Sequence, residues 1–118
     1  MFKKLLRDFR SWYVVNQVQH VSIPDFPPDR ICRYRVTFSG RVQNVGFRFE
    51  ASQLALRLGL TGFCNNLDNG DVFAEFQGPE NRIYFLISFM ESLKRIVIEN
   101  KIMEEIPVLP NDSGFRYR

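Results

Sequence analysis

The stretch "ICRYRVTFSGRVQNVGFRFEASQLALRLGL", residues 31–60, changes its hydrophobic period partway along. Over residues 31–40 it alternates. Cys32, Tyr34, Val36 and Phe38 face one way, and Arg33, Arg35 and Thr37 face the other, which is the pattern of a half-buried strand. From Phe47 onward the apolar residues recur at helical spacing, through Ala51, Leu54, Ala55 and Leu58, and Gly59 supplies a stop. Gly40 and Gly46 lie in the join. A glycine-containing loop therefore carries a strand directly into a helix. Arg48 falls in the first turn of that helix, where the N-terminal partial positive charge disfavours a cation. A cation placed there asks for a reason.

Working outward, "LTGFCNN" (60–66) reads as a second strand and "LDNGD" (67–71) as a hairpin turn, since Asn-Gly is the favoured pair for tight turns. "DVFAEFQ" (71–77) is a third strand, with Val72, Ala74 and Phe76 on one face. A second helix begins near Pro79. It carries Ile83, Leu86, Ile87, Met90 and Leu93 at helical spacing, with Lys94 and Arg95 late in it. "IVIENKIMEEI" (96–106) is a fourth strand and "GFRYR" (114–118) a short last one. This order is the β-α-β-β-α-β arrangement of an α+β, ferredoxin-like sandwich: a mixed, largely antiparallel sheet with two helices on one face and a short extra C-terminal strand.

That topology predicts where a site belongs. Strands 1 and 2 run parallel with strand 3 between them. The carboxyl ends of both and the start of helix 1 then share one rim, where such sheets tend to hold ligands. Loop 40–48 should face the "CNNLDNG" region. The same placement puts Cys32 and Cys64 about 10 Å apart, because neighbouring strands are about 4.8 Å apart. That is beyond disulfide reach, so both read as packing thiols.

Composition narrows the function. A chain of 118 residues, 45% hydrophobic and with twelve phenylalanines, is long enough for one packed domain. The net charge is +3. Residues 1–30 hold five Lys/Arg against three Asp, and residues 31–118 hold eleven Lys/Arg against ten Asp/Glu. The body is nearly neutral, which argues against nucleic acid as a partner. His20 is the only histidine, so residues 31–118 carry no histidine-based catalytic pair or metal site, and two cysteines do not match a zinc spacing. No membrane-spanning run or secretory h-region is present, so the cytoplasm is the expected compartment.

Two parts are expected: an N-terminal extension, 1–30, and a domain, 31–118. Phe2, Leu5, Leu6, Phe9, Trp12 and Tyr13 recur at helical spacing between Lys3, Lys4, Arg7 and Arg10. They suit either an amphipathic helix for a membrane surface or partner, or a segment packed on its own domain. "SIPDFPPDR" (22–30), with three prolines, reads as an extended linker.

The rim then collects its groups. Backbone N–H groups of a glycine-containing loop, together with a helix N-terminus, form an anion site. The planar fork of Arg48 matches two phosphate oxygens, so its charge would be met by a ligand. Asn65 and Asn66 are poor strand formers. They serve either as turn residues or as an amide that holds a water against the phosphate. Asp68 and Asp71 read as turn residues. The rim offers no histidine, paired carboxylates or metal cage. Hydrolysis there would rest on positioning and charge stabilisation, and would suit a leaving group as good as a carboxylate.

"GRVQNVGFR" (40–48), "LGLTGFCNNLDNGDV" (58–72), "FQGP" (76–79) and "GFRYR" (114–118) together resemble the acylphosphatase family across residues 31–118. The resemblance implies metal-independent hydrolysis of acyl phosphates to a carboxylate and inorganic phosphate, without a cofactor. It assigns phosphate binding to the loop amides of Gln43, Asn44, Val45, Gly46, Phe47 and Arg48 and to the Arg48 side chain. Orientation of the attacking water falls to Asn66, with the proton accepted by the substrate's own phosphate. The implied partner is a small acyl phosphate, with no nucleic acid and no membrane span. No oligomeric state is indicated.

The chain departs from the family at Asn44, where glycine is usual, and at Asn65, where a basic residue is frequent. Residues 1–30 have no counterpart in the family pattern. Asparagine is among the best non-glycine residues for positive φ, so the loop can keep its shape, but the Asn44 side chain could crowd the ligand. The alternatives are a catalytically impaired anion-binding or interaction module, and an RNA-binding sheet. Against the latter, the aromatic "VGFRFE" lies in the loop and helix rather than on a strand.

Overall fold

Alternation in β1 (Ile31–Arg41) buries Cys32, Tyr34, Val36 and Phe38 on one face, as its pattern predicts. The computed structural model describes residues 21–117. After β1 come α1 (Phe47–Arg57), β2 (Thr61–Asn66), β3 (Val72–Pro79), α2 (Glu80–Ser92), β4 (Val97–Ile106) and β5 (Phe115–Tyr117). The sheet order is β4-β1-β3-β2-β5. β3 pairs antiparallel with both β1 and β2, so those two run parallel. β4 adds antiparallel to β1, and β5 adds parallel to β2.

One core lies between sheet and helices. Val36, Phe38, Val72, Ala74 and Phe76 from the strands bury against Ala51, Leu54, Ala55, Ile83, Leu86, Ile87 and Met90. The Phe38 and Phe47 rings, 4.9 Å between centroids, fasten the start of α1 to the end of β1. Cys32 and Cys64 are buried free thiols on strands separated by β3.

One local expectation changes. α2 ends at Ser92, since Leu93 is extended (φ −79, ψ 128). Lys94 and Arg95 therefore sit in the turn leading to β4 and not in the helix. The hairpin between β2 and β3 forms as expected, with its positive φ on Gly70 (φ 97). Gly70 N–H donates to Leu67 O and Leu67 N–H to Asp71 O, closing a three-residue loop. Asn69 Oδ1 accepts from the Asp71 amide, the local turn bonding that favours asparagine there.

The second face of the sheet is partly covered. Arg33, on the solvent side by alternation, is only 2% exposed. It donates to Glu75 Oε1 and Asp112 Oδ2, both at 2.8 Å. Asp112 belongs to the segment between β4 and β5, which also exchanges two bonds with Gln77 through the Leu109 backbone. These contacts lay the segment across the sheet and deliver β5 to its place beside β2.

Residues 21–30 form no regular element, yet Val21, Ile23 and Phe26 pack on the core. Phe26 meets Phe85 edge-on, and the Asn81 amide donates to Asp29 Oδ2. The stripe from Phe2 to Tyr13 lies outside the described residues. Among the described residues no helix is long and apolar enough to cross a membrane.

Candidate active site

Between β1 and α1 the chain must reverse within a few residues. Asn44 (φ 61) and Gly46 (φ 80) both adopt the left-handed conformation. Left-handed residues spaced among ordinary ones curl a loop so that successive N–H groups converge on its concave side. Gly46 is the N-cap of α1 and has no side chain with which to cap it. The helical bonding starts with Glu50 N–H to Gly46 O, at 3.0 Å. The amides of Phe47, Arg48 and Phe49 come before that bond and have no intrahelical acceptor.

The loop is braced from two sides. Gln43 Nε2 donates to Leu67 O (2.7 Å) and Asp71 O (2.8 Å), which ties it to the hairpin. The loop and the hairpin therefore face each other, as the topology predicts. On the other side Arg95 Nε donates to Val45 O at 3.0 Å. Arg95 also forms an ion pair with Glu50, whose side chain is fully buried. Burial pushes the Glu50 carboxyl up to about 7, against the opposing pull of Arg95.

A cleft of about 110 Å³ opens at this rim, several times the space one water needs. Asn44, Gly46, Phe47 and Arg48 line it from the loop and helix, with Val42 and Phe49 beside them. Asn66 lines it from β2, and Tyr117 from β5. Of the residues singled out in the sequence, Gln43 and Val45 do not line the cleft. The Gln43 side chain is spent on the hairpin, and Val45 packs on the core.

The two asparagines part company. Neighbouring strand residues point to opposite faces, and only Asn66 reaches the cleft. Its Oδ1, like that of Asn65, is buried without a hydrogen-bond partner among the described residues, a desolvation cost common to both amides, so the cleft alone separates the two. Arg48 lies over the Tyr117 ring, 5.8 Å from its centroid. Its charge also reaches Cys64. Burial pushes that thiol up to about 12, with Arg48 pulling weakly the other way. Cys64 is thus an un-ionised packing group and no nucleophile. Asp68 and Asp71 do not line the cleft. Among the described residues no cluster of three His, Cys, Asp or Glu could ligate a metal.

Tyr117, Glu50 and Arg95 were not singled out as site residues in the sequence. Tyr117 is placed by the parallel register that sets it opposite Cys64, two residues before Asn66. Arg95 arrives through a turn read from its periodicity as helix. Glu50 looks like an ordinary acidic residue in a first turn, and only tertiary packing shows it to be buried.

Known proteins are similar to this chain in sequence and fold. The acylphosphatase family matches residues 34–117. An acylphosphatase of Clostridium beijerinckii is 38% identical over 87 residues, covering 70% of this chain and 93% of the relative. The solved acylphosphatase structure from Coxiella burnetii superposes with a TM-score of 0.66 at 36% identity, covering 75% of this chain and 93% of that one. The one from Bacillus subtilis gives 0.68 at 27% identity, covering 75% and 99%. The matched stretch runs from Tyr34 in the first strand to Tyr117 at the cleft, so cleft and scaffold fall within one homologous unit, and the chain belongs to the acylphosphatase family of hydrolases.

Proposed function

We propose that the cleft hydrolyses small acyl phosphates, with the phosphate seated in the loop 43–48 and against Arg48. The observation that carries this reading is the meeting of an amide-rich helix start, the Arg48 guanidinium and Asn66 in one cleft. Loop amides and helix N-terminus supply fixed dipoles for the phosphoryl oxygens, and Arg48 adds a bidentate charged partner. The Asn66 side-chain amide orients the attacking water toward phosphorus. As the water oxygen bonds to phosphorus, the bond from phosphorus to the acyl oxygen breaks and the carboxylate leaves with its electron pair. The water proton passes to a phosphoryl oxygen of the substrate. A carboxylate is a stable leaving group, so no general acid is needed. The work falls to positioning and to charge stabilisation.

Asn44 supports an active enzyme over an impaired one. It holds the left-handed geometry for which glycine is usually chosen, so the cradle keeps its shape without glycine.

The test is hydrolysis of benzoyl phosphate in the presence of a chelator. The unaltered protein should turn over. Arg48→Ala and Asn66→Ala, folded by circular dichroism, should each lose roughly 10²–10³-fold or more in kcat, the scale seen when a preorganised donor is removed. A near-wild-type kcat in either variant overturns the role given to that residue.

A further inference from the structure

We infer that Arg95, held by Glu50, is a positioning residue for the phosphate loop, fixing the Val45–Gly46 peptide so that the Gly46 amide faces the phosphate. The inference rests on the reading of the cleft given above. In a planar trans peptide the carbonyl and the following N–H point in opposite directions. Val45 O accepts from Arg95 Nε at 3.0 Å, and Gly46 lines the cleft. Anchoring the carbonyl on the Arg95 side turns the Gly46 N–H to the other. Such an anchor is needed because Gly46 (φ 80) is a glycine, and a peptide next to glycine reorients at little steric cost.

Glu50 completes the device. It sits in the first turn of α1, and its carboxylate pairs with Arg95 Nη2. One guanidinium therefore joins the loop carbonyl to the helix that begins the cleft. The pairing also offsets a buried negative charge that would otherwise oppose an arriving phosphate. Arg95 is not among the residues lining the cleft. It acts through the loop backbone and touches no reacting atom.

Two variants separate this role from plain stabilisation. Arg95→Lys keeps a charge beside Glu50 but lacks the Nε–H that reaches Val45. The double variant Arg95→Met with Glu50→Gln keeps the volume and leaves no buried charge unpaired. In each, the KM for benzoyl phosphate and the Ki of inorganic phosphate should rise about tenfold, the effect of one misdirected hydrogen bond, while kcat falls less. Thermal scans establish that the proteins are folded at the assay temperature. A folded variant with KM and Ki within about twofold of wild type overturns the inference. If the unaltered protein neither hydrolyses benzoyl phosphate nor is inhibited by phosphate, the reading of the cleft itself fails.

Discussion

Gln43 and Asp71 come from the β1–α1 loop and the β2–β3 hairpin, and one side-chain amide joins them: Gln43 Nε2 donates to Asp71 O at 2.8 Å and also to Leu67 O at 2.7 Å. The bond holds loop 43–46 against the strand end that carries Asn66. Two elements that approach only in the folded chain are thereby kept in one geometry.

Gln43→Ala should therefore cost stability and substrate affinity together. Two intramolecular bonds contribute about 1–2 kcal/mol, readable as a lower urea midpoint. KM should rise several-fold, because the cradle and Asn66 are no longer held to one spacing. An unchanged KM with reduced stability would show that the hairpin tie serves folding alone.

Asn44 tests whether backbone or side chain governs the cradle. At φ 61 it occupies a conformation that costs most residues energy, and it is one of the residues that line the cleft. Asn44→Gly should leave the melting temperature within a few degrees and lower KM, since it opens the cleft and keeps the φ. Asn44→Val should lose about 1–2 kcal/mol and most phosphate binding, because a β-branched residue resists positive φ. Wild-type KM in the valine variant would remove the conformational argument.

These cases mark what a sequence can show. The β1–α1 unit was legible because its hydrophobic period switches from two to helical spacing around Gly40 and Gly46, and the loop placed Arg48 at the helix start. Asn66 could be nominated from local chemistry, but its separation from Asn65 depends on strand phase. Arg95 lies where apolar periodicity continues through Leu93 although the backbone has already turned extended, and periodicity cannot report that turn. Arg33 alternates as a solvent residue and is buried because a segment more than 70 positions away folds over it. Both misses come from long-range packing, which has no local signature.

Arg33→Ala removes the hub of that segment. Glu75 and Asp112 would lose their guanidinium partner while only 17% and 14% exposed, so the loss should be roughly 2–4 kcal/mol. The Arg33 guanidinium holds the Asp112 carboxyl below the usual range. Its contribution is present above the unfolded-state value and disappears as pH falls through the folded one. The stability gap between wild type and variant should therefore narrow at low pH, and a gap that stays constant down to about pH 2 would show that Arg33 acts through packing alone.

Glu50 predicts the opposite pH dependence. Burial raises its carboxyl from about 4.5 to about 7, with Arg95 opposing. Between those values the folded state binds more protons than the unfolded chain, so stability falls as pH rises through the window and the loss is complete above the folded value. Glu50→Gln cannot titrate. Chemical denaturation of both proteins from pH 4 to pH 8 should show the difference moving in favour of the glutamine variant by roughly 2–3 kcal/mol as pH rises. The comparison cancels groups common to both, including Asp112. Parallel stability curves would mean that Glu50 titrates in the folded protein as it does in the unfolded chain, and that its pair with Arg95 carries no pH sensitivity.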